Sequence, residues 1–460
     1  MNDIALKDKA QEMNTKRLDI LNRTKNILIE RLNLSLTPEQ IDDDSPLFGM
    51  GLGLDSIDSL ELVVGVEEEF GIQVGDEDLE VFLSVNSLVD FILQGEKKKR
   101  GGVIDLTSAD SEDKKWLSQY KALRESALVY DLPLNLLEIP EGEKSLLFLA
   151  QILAGKDLML EPQKSLHTML LNHQGAVVDL VYVMMFDEKF WISFTPGTTQ
   201  GKAWFSEQAK DAGIPVKDVT SEFGCVVAEG PYSWKLAKPL AGFEVTGLGY
   251  LHFMNAELQG TPLIIFRAGV TNEYGFRIIH PAGTSSVVKE LFKTQNLEGV
   301  VFADAWDECR ISLDLASREV RFPTLDVTVP ALDSPVPHEL RWMADFSKEA
   351  FIGSQALNQA VVDCQEKVMA FIVKDDEEVA SFLTESAPSV TLDDEVIGKV
   401  LHLQFSPAMG YWFGYALLNS EWAFGGNDCY CLKSVSNAVC RITTQSTPLF
   451  LTQSALVQME

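Results

Sequence analysis

Gly53-Leu54-Asp55-Ser56-Ile57-Asp58-Ser59-Leu60-Glu61-Leu62 sets a serine behind an aspartate at the head of an acidic amphipathic helix. Leu60, Val63, Val64 and Phe70 can face a core, while Asp55, Asp58 and Glu61 line an exposed face. A serine at a helix start is ordinarily a cap, because its oxygen accepts a bond from the free amides of the first turn. The arrangement also suits a serine that carries a covalent prosthetic arm instead of doing chemistry itself.

The surroundings of Ser56 form a unit of their own. Between Leu32 and Glu96 there is no lysine or arginine, against about sixteen acidic residues. Leu18, Leu21, Leu28 and Leu32 fall near helical spacing and predict a first helix over Lys16–Asn33. A loop with Pro38 and Pro46 leads to the Ser56 helix, which runs to about Phe70. Asn86-Ser87 is expected to cap a last short helix. The unit therefore spans residues 16–95. Lys97-Lys98-Lys99-Arg100-Gly101-Gly102 and the polar residues after it read as a linker over 96–115. If about 20 residues there are flexible, their reach is roughly 25 Å, enough to swing one module against the other.

The whole chain has 460 residues, too many for one ordinary core, so two to four domains are expected. A formal charge of −30 disfavours nucleic acid and anionic membrane surfaces as partners. No apolar run is long enough to cross a bilayer, and Met1–Lys16 is unlike a secretory signal, which points to the cytoplasm. The cysteines form no disulfide framework, and Cys429, Cys431 and Cys440 match no common zinc spacing. No metal site is expected. From about Trp116 onward short β-rich runs alternate with helices, and Ile397–Leu451 reads as a small β-barrel. Ser286–Thr294 and Phe351–Val373 read as helices, the latter broken. Period and composition give a multidomain α+β protein, with a body over 116–350 and a C-terminal helix and barrel over 351–460.

Two resemblances go further. Residues 16–95 resemble acyl carrier proteins, an all-α four-helix bundle, through Leu54-Asp55-Ser56-Ile57 and Glu67-Glu68-Glu69-Phe70-Gly71. The resemblance implies 4′-phosphopantetheine on Ser56, added by a phosphopantetheinyl transferase. It also implies a docking face at Asp55, Asp58 and Glu61 for acyl- or aminoacyl-loading and synthase enzymes with basic patches. Such docking gains rate and discrimination more than affinity.

The remainder resembles the aminomethyltransferase (T-protein) family of the glycine cleavage system. The segments, in order, are Tyr130-Asp131-Leu132, Asn172-His173-Gln174-Gly175-Ala176-Val177-Val178-Asp179, Arg267 to Phe276, Ala305 to Ile311, Asp345 to Gly353, and Ile397 to Val400 with Phe405-Ser406-Pro407. The resemblance implies an α+β, three-subdomain fold with a C-terminal β-barrel and a central cavity for tetrahydrofolate or 5,10-methylenetetrahydrofolate. Carried over residue by residue, Asp179 matches the catalytic aspartate, a carboxylate able to stabilise positive charge on an amine and take a proton. Glu273 matches the glutamate that binds the pterin ring, and Arg310 an arginine at the folate site. The pattern is broken at several places: the family's second aspartate is Leu180, its glycine before the pterin glutamate is Asn272, and its later glutamate is Arg277.

Together these imply an aminomethyltransferase-like enzyme that passes a one-carbon unit between folate and a group held as a thioester on the Ser56 arm. Its setting would be a specialised fatty-acid- or polyketide-like pathway. Tethering supplies such a substrate at an effective concentration of order millimolar. The competing expectations are a folate-binding scaffold without turnover and a folate-dependent demethylase.

Overall fold

The computed structural model describes residues 6–34, 36–44, 46–47, 52, 54, 56–75, 81–95, 99–106, 113–155, 161–321, 338–348, 350–362, 365–374, 379, 382–383, 388–435 and 438–460. Among them no helix is long and apolar enough to cross a membrane.

The N-terminal region is helical. Its first helix, Leu6–Arg31, begins well before the expected Lys16. The extra turns escaped the periodicity because they carry few apolar residues. They are held from outside: Ala10 is fully buried in the barrel core, and Asn14 is 6 % exposed. Ile20, Leu21 and Leu28 of the same helix pack on Leu62, Val66 and Val89 of the helices Ser56–Phe70 and Val85–Gln94. The cap of the latter is Ser84 rather than Asn86-Ser87. Its hydroxyl oxygen accepts from the Ser87 amide at 3.1 Å, and Gly95 closes the helix in the left-handed region at φ 65°.

Two antiparallel-rich sheets and a barrel make up the rest. One sheet runs Val301–Phe302, Leu128–Asp131, Phe223–Glu229, Gly275–Pro281, Thr261–Arg267, Phe253–Leu258. The other runs Ser165–Leu171, Val177–Met185, Lys189–Ser193, Leu136–Pro140, Lys217–Asp218. The closed barrel is formed by Glu366–Val373, Tyr411–Asn419, Glu395–Ser406, Ser389–Leu392, Tyr430–Lys433 and Val439–Gln445. It therefore starts at Glu366 and not at Ile397. The expected broken helix over Phe351–Val373 resolves into the helix Ser354–Val362 and the strand Glu366–Val373. That strand is apolar on both faces, with Met369, Phe371 and Val373 in the barrel core and Val368 and Ala370 against the sheets. A run buried on both sides loses the alternation that marks a strand. Among the described residues there is no metal-ligating cluster, and Cys225, Cys309, Cys429 and Cys440 are buried free thiols.

The expected flexible linker is corrected where it is described. The Leu451 amide donates to the Lys99 carbonyl at 2.9 Å, and the Gly102 amide to the Ala408 carbonyl at 2.6 Å. Ile104 is buried in the main core, and its amide donates to Glu125 at 2.9 Å. The helical region is likewise seated on the barrel. Asn14 donates to the Glu421 carbonyl at 3.2 Å and accepts from Asn427 at 3.1 Å. Ser84 donates to the Thr447 carbonyl at 3.1 Å, Arg321 pairs with Asp44, and Ser446 bonds Asp90. Phe424 of the barrel packs into the helical core. Apolar contact, satisfied buried polar groups and ion pairs all hold the same seat.

Candidate functional site

A cavity of about 460 Å³ lies where the two sheets meet the helix Trp306–Glu319. Strand alternation decides what faces it. Across the smaller sheet His167 pairs with Tyr182 and Tyr182 with Ser193, so these three form one row on the cavity wall, with Leu180 beside them. The other sheet supplies Arg277, and the helix presents Trp306, Asp307, Arg310, Leu313, Asp314 and Ser317 at one-face spacing.

Asp179 lies on the opposite face of its strand from Leu180 and Tyr182. Its side chain is fully buried behind the Thr195–Thr198 loop that lines the cavity. One carboxylate oxygen accepts from the Leu180 amide at 2.8 Å and the Thr195 amide at 3.3 Å; the other accepts from the Thr198 hydroxyl at 3.3 Å. Burial lifts its carboxyl above the ordinary aspartate range, while these donors oppose the rise. The helix Gln200–Asp211 begins directly over it, and a Cβ at Gly201 would overlap the carboxylate. The aspartate thus grips the loop that forms the wall and does not itself line the cavity; Leu180 does.

Glu273 is also placed apart from the expectation. Its side chain is sealed, and its oxygens accept from Arg124 at 3.2 Å and from the Ser454 hydroxyl and amide at 2.6 and 2.9 Å. Arg124 in turn donates to Glu319 at 2.8 Å and to the Thr271 and Ala316 carbonyls. Glu319 also accepts from Tyr120 at 2.6 Å and from Ser406. Burial works against the Arg124 charge, but Glu319 and then Glu273 more than restore it. Glu273 therefore ties the sheet to the C-terminal segment in a buried charged network, and no part of it lines the central cavity. With Arg124 and Phe450 it borders a separate cavity of about 270 Å³.

Arg310 is where a ligand can meet it. It is exposed at the cavity, with its guanidinium 5.1 Å from the Trp306 ring centroid. Ser56 opens the helix Ser56–Phe70, with its hydroxyl outside what is described, and Asp55 lies outside the described residues. On that helix Glu61 is exposed and Asp58 half-buried; Leu60 and Val64, expected to face a core, are exposed, and Leu62 and Val66 take that side instead. The barrel seat uses the first helix and residues near Asp44 and Ser84.

The residues missed by sequence reasoning are His167, Tyr182, Thr195 and Thr198. Tyr182 could have been found, since it follows Leu180 at the strand period. Burial lowers the His167 imidazole to about 3, with Arg277 adding to the effect, so it is neutral. Its ring stacks on Tyr182 at 4.2 Å and 9°.

Comparison with known proteins agrees with this architecture. Residues 22–92 match the family model for the phosphopantetheine attachment site, and residues 100–316 that for the GCVT N-terminal domain. An aminomethyltransferase of Thermotoga neapolitana is 22 % identical over 303 residues, 65 % of this chain and 80 % of its own length. One of Pseudothermotoga lettingae is 26 % identical over 287 residues, covering 61 % and 75 %. The solved structure of glycine cleavage system aminomethyltransferase T from Bartonella henselae superposes with a TM-score of 0.58 at 17 % identity, over 73 % of this chain and 89 % of that one. That likeness shows the shared fold.

Proposed function

For a chain that joins a phosphopantetheine-attachment domain to an aminomethyltransferase-like GCVT domain, we propose transfer of a one-carbon unit between a reduced folate in the central cavity and a group carried on the arm of Ser56. The observation that carries this reading is the cavity itself. Its volume of about 460 Å³ suits a small cofactor, and Tyr130, Phe194 and Trp306 bring aromatic rings to its wall for a bicyclic ring. A bound folate would supply the one-carbon carrier chemistry. Arg310 would hold an acceptor group of the ligand, and Asp179 would fix the Thr195–Thr198 wall against which it lies. The Ser56 hydroxyl would bear the arm, and Asp55, Asp58 and Glu61 would meet the transferase and the loading enzymes.

One observation favours a second reading, folate binding without turnover: next to Asp179 the strand turns Leu180 to the cavity, and Leu180 can neither take nor give a proton. Holo-protein supplied with a ¹³C-labelled methylene folate separates the two. Label appearing on the arm, read by intact-protein mass spectrometry, supports transfer. Folate binding with no label on any arm-bound group would leave the binding reading. In the first case Asp179→Asn should lower the rate while folate still binds.

A further inference from the structure

Arg277 is a cation on which Glu229 acts without ion-pair contact among the described residues. Its strand pairs with Phe223–Glu229 on one side and Thr261–Arg267 on the other, which places it deep in the larger sheet. Its guanidinium lies 4.5 Å from the centroid of the Tyr182 ring, and among the described residues its one hydrogen bond is to the Tyr182 hydroxyl at 3.4 Å. Among the described residues no carboxylate lies within ion-pairing distance of it. The nearby buried Glu229 is engaged elsewhere. One of its oxygens accepts from the Val270 amide at 2.6 Å and from the Thr271 amide and hydroxyl at 2.8 and 2.7 Å; the other accepts from Tyr130 at 3.2 Å. Guanidinium does not lose its proton in proteins, so the charge stays.

The stack fixes the direction in which Arg277 can act. Tyr182 covers one face of the guanidinium, His167 backs Tyr182, and Phe266 closes edge-on at 5.6 Å from Tyr182. A planar donor fork held by its face presents its edge, and Arg277 is part of the cavity wall.

We propose that Arg277 is the seat of a carboxylate, and that the ligand admitted to the cavity carries one. The inference rests on the reading that the cavity receives folate and an arm-bound group, and it names what one of them must bear. A single negative charge is what a lone guanidinium compensates, and the surrounding wall of Leu132, Pro133, Val270 and Phe194 suits an organic acid. A doubly charged phosphate would have to face Asp307 and Asp314 across the same space. The carboxylate has two sources, the far end of a dicarboxylic acyl group on the arm or the glutamate tail of the folate.

Titration calorimetry on the full-length protein tests it with two matched pairs. Succinyl-pantetheine and butyryl-pantetheine differ by the terminal carboxylate, and tetrahydrofolate and tetrahydropteroate differ by the glutamate. The charged member of at least one pair should bind roughly tenfold to hundredfold tighter, the range of a charge-assisted hydrogen bond. Arg277→Met should remove that preference and Arg277→Lys keep part of it, which separates loss of charge from loss of fold. The pair that responds identifies the source. Equal binding within both pairs, a preference that survives in Arg277→Met, or failure of every carboxylate ligand to bind would overturn the assignment. Preference for succinyl-pantetheine without any folate binding would keep the seat and remove the one-carbon reading.

Discussion

Arg124 is buried and Arg277 half-buried, both guanidiniums lie over aromatic rings, and they differ in what answers their charge. Arg124 has Glu273 and Glu319 within 3.2 Å and two backbone carbonyls besides. Arg277 has a tyrosine ring and its hydroxyl. The first charge is spent on joining the sheet, the helix Trp306–Glu319 and the C-terminal segment. The second is held in reserve at a cavity wall. Satisfaction of a buried ion separates structural from ligand-facing roles better than its depth or its match to a family motif. Glu273, the motif residue, falls on the structural side of that line.

Removing the two cations should break the pair apart most visibly. Arg124→Met strands two buried carboxylates and should cost about 3–5 kcal/mol, read as a fall in the urea midpoint. Arg277→Met removes an uncompensated charge and should leave the midpoint close to wild type. Equal losses would show that Arg277 is structural too. Next comes Gly201→Ala, which tests whether Asp179 belongs with the satisfied groups. The added methyl overlaps its carboxylate, and the forced shift of strand or helix should cost about 1–3 kcal/mol. An unchanged melting curve would show that the aspartate is free to move.

A further effect is confined to acid pH. His167 is held near 3 in the folded protein, against an ordinary value near 6.5. The unfolded chain therefore binds a proton that the folded one refuses between those values. Stability contributed by this group is complete above pH 6.5 and is lost as the pH falls toward 3, by at most about 1.4 kcal/mol per pH unit. His167→Phe should flatten that part of the stability profile. Arg277→Met should move the imidazole upward, because the guanidinium is the second cause of its low value. The floor of the scale is Lys7, whose partner Glu395 is more exposed than itself. Lys7→Ala should leave the urea midpoint where it was.

Legibility in the sequence followed the range of the forces involved. The Ser56 helix was readable because capping and amphipathic spacing are local. The phosphopantetheine-attachment and GCVT regions were readable because ordered segments survive divergence. The start of the first helix at Leu6 was hidden, since its stability comes from the barrel and not from its own period. Residues 99–106 read as a linker because charge and glycine describe a segment by itself, while its hydrogen bonds go to Ala408 and Leu451 far along the chain. Within the site, Arg310 was placed at the cavity, but Asp179 and Glu273 were read from motif position alone. Which face of a strand a residue takes, and whether a buried arginine has already claimed a carboxylate, are decided by residues hundreds of positions away.

The seat of the first helix on the barrel also bears on traffic. A carrier domain roaming on a leash can turn its prosthetic arm toward any enzyme in reach, and the sequence of encounters is then set by diffusion. One fastened by Ala10, Asn14 and Ser84 has the barrel as a fixed neighbour. An enzyme that could not fit beside the barrel would then be turned away however well its charge matched. For visitors to such a domain, shape would count beside electrostatics.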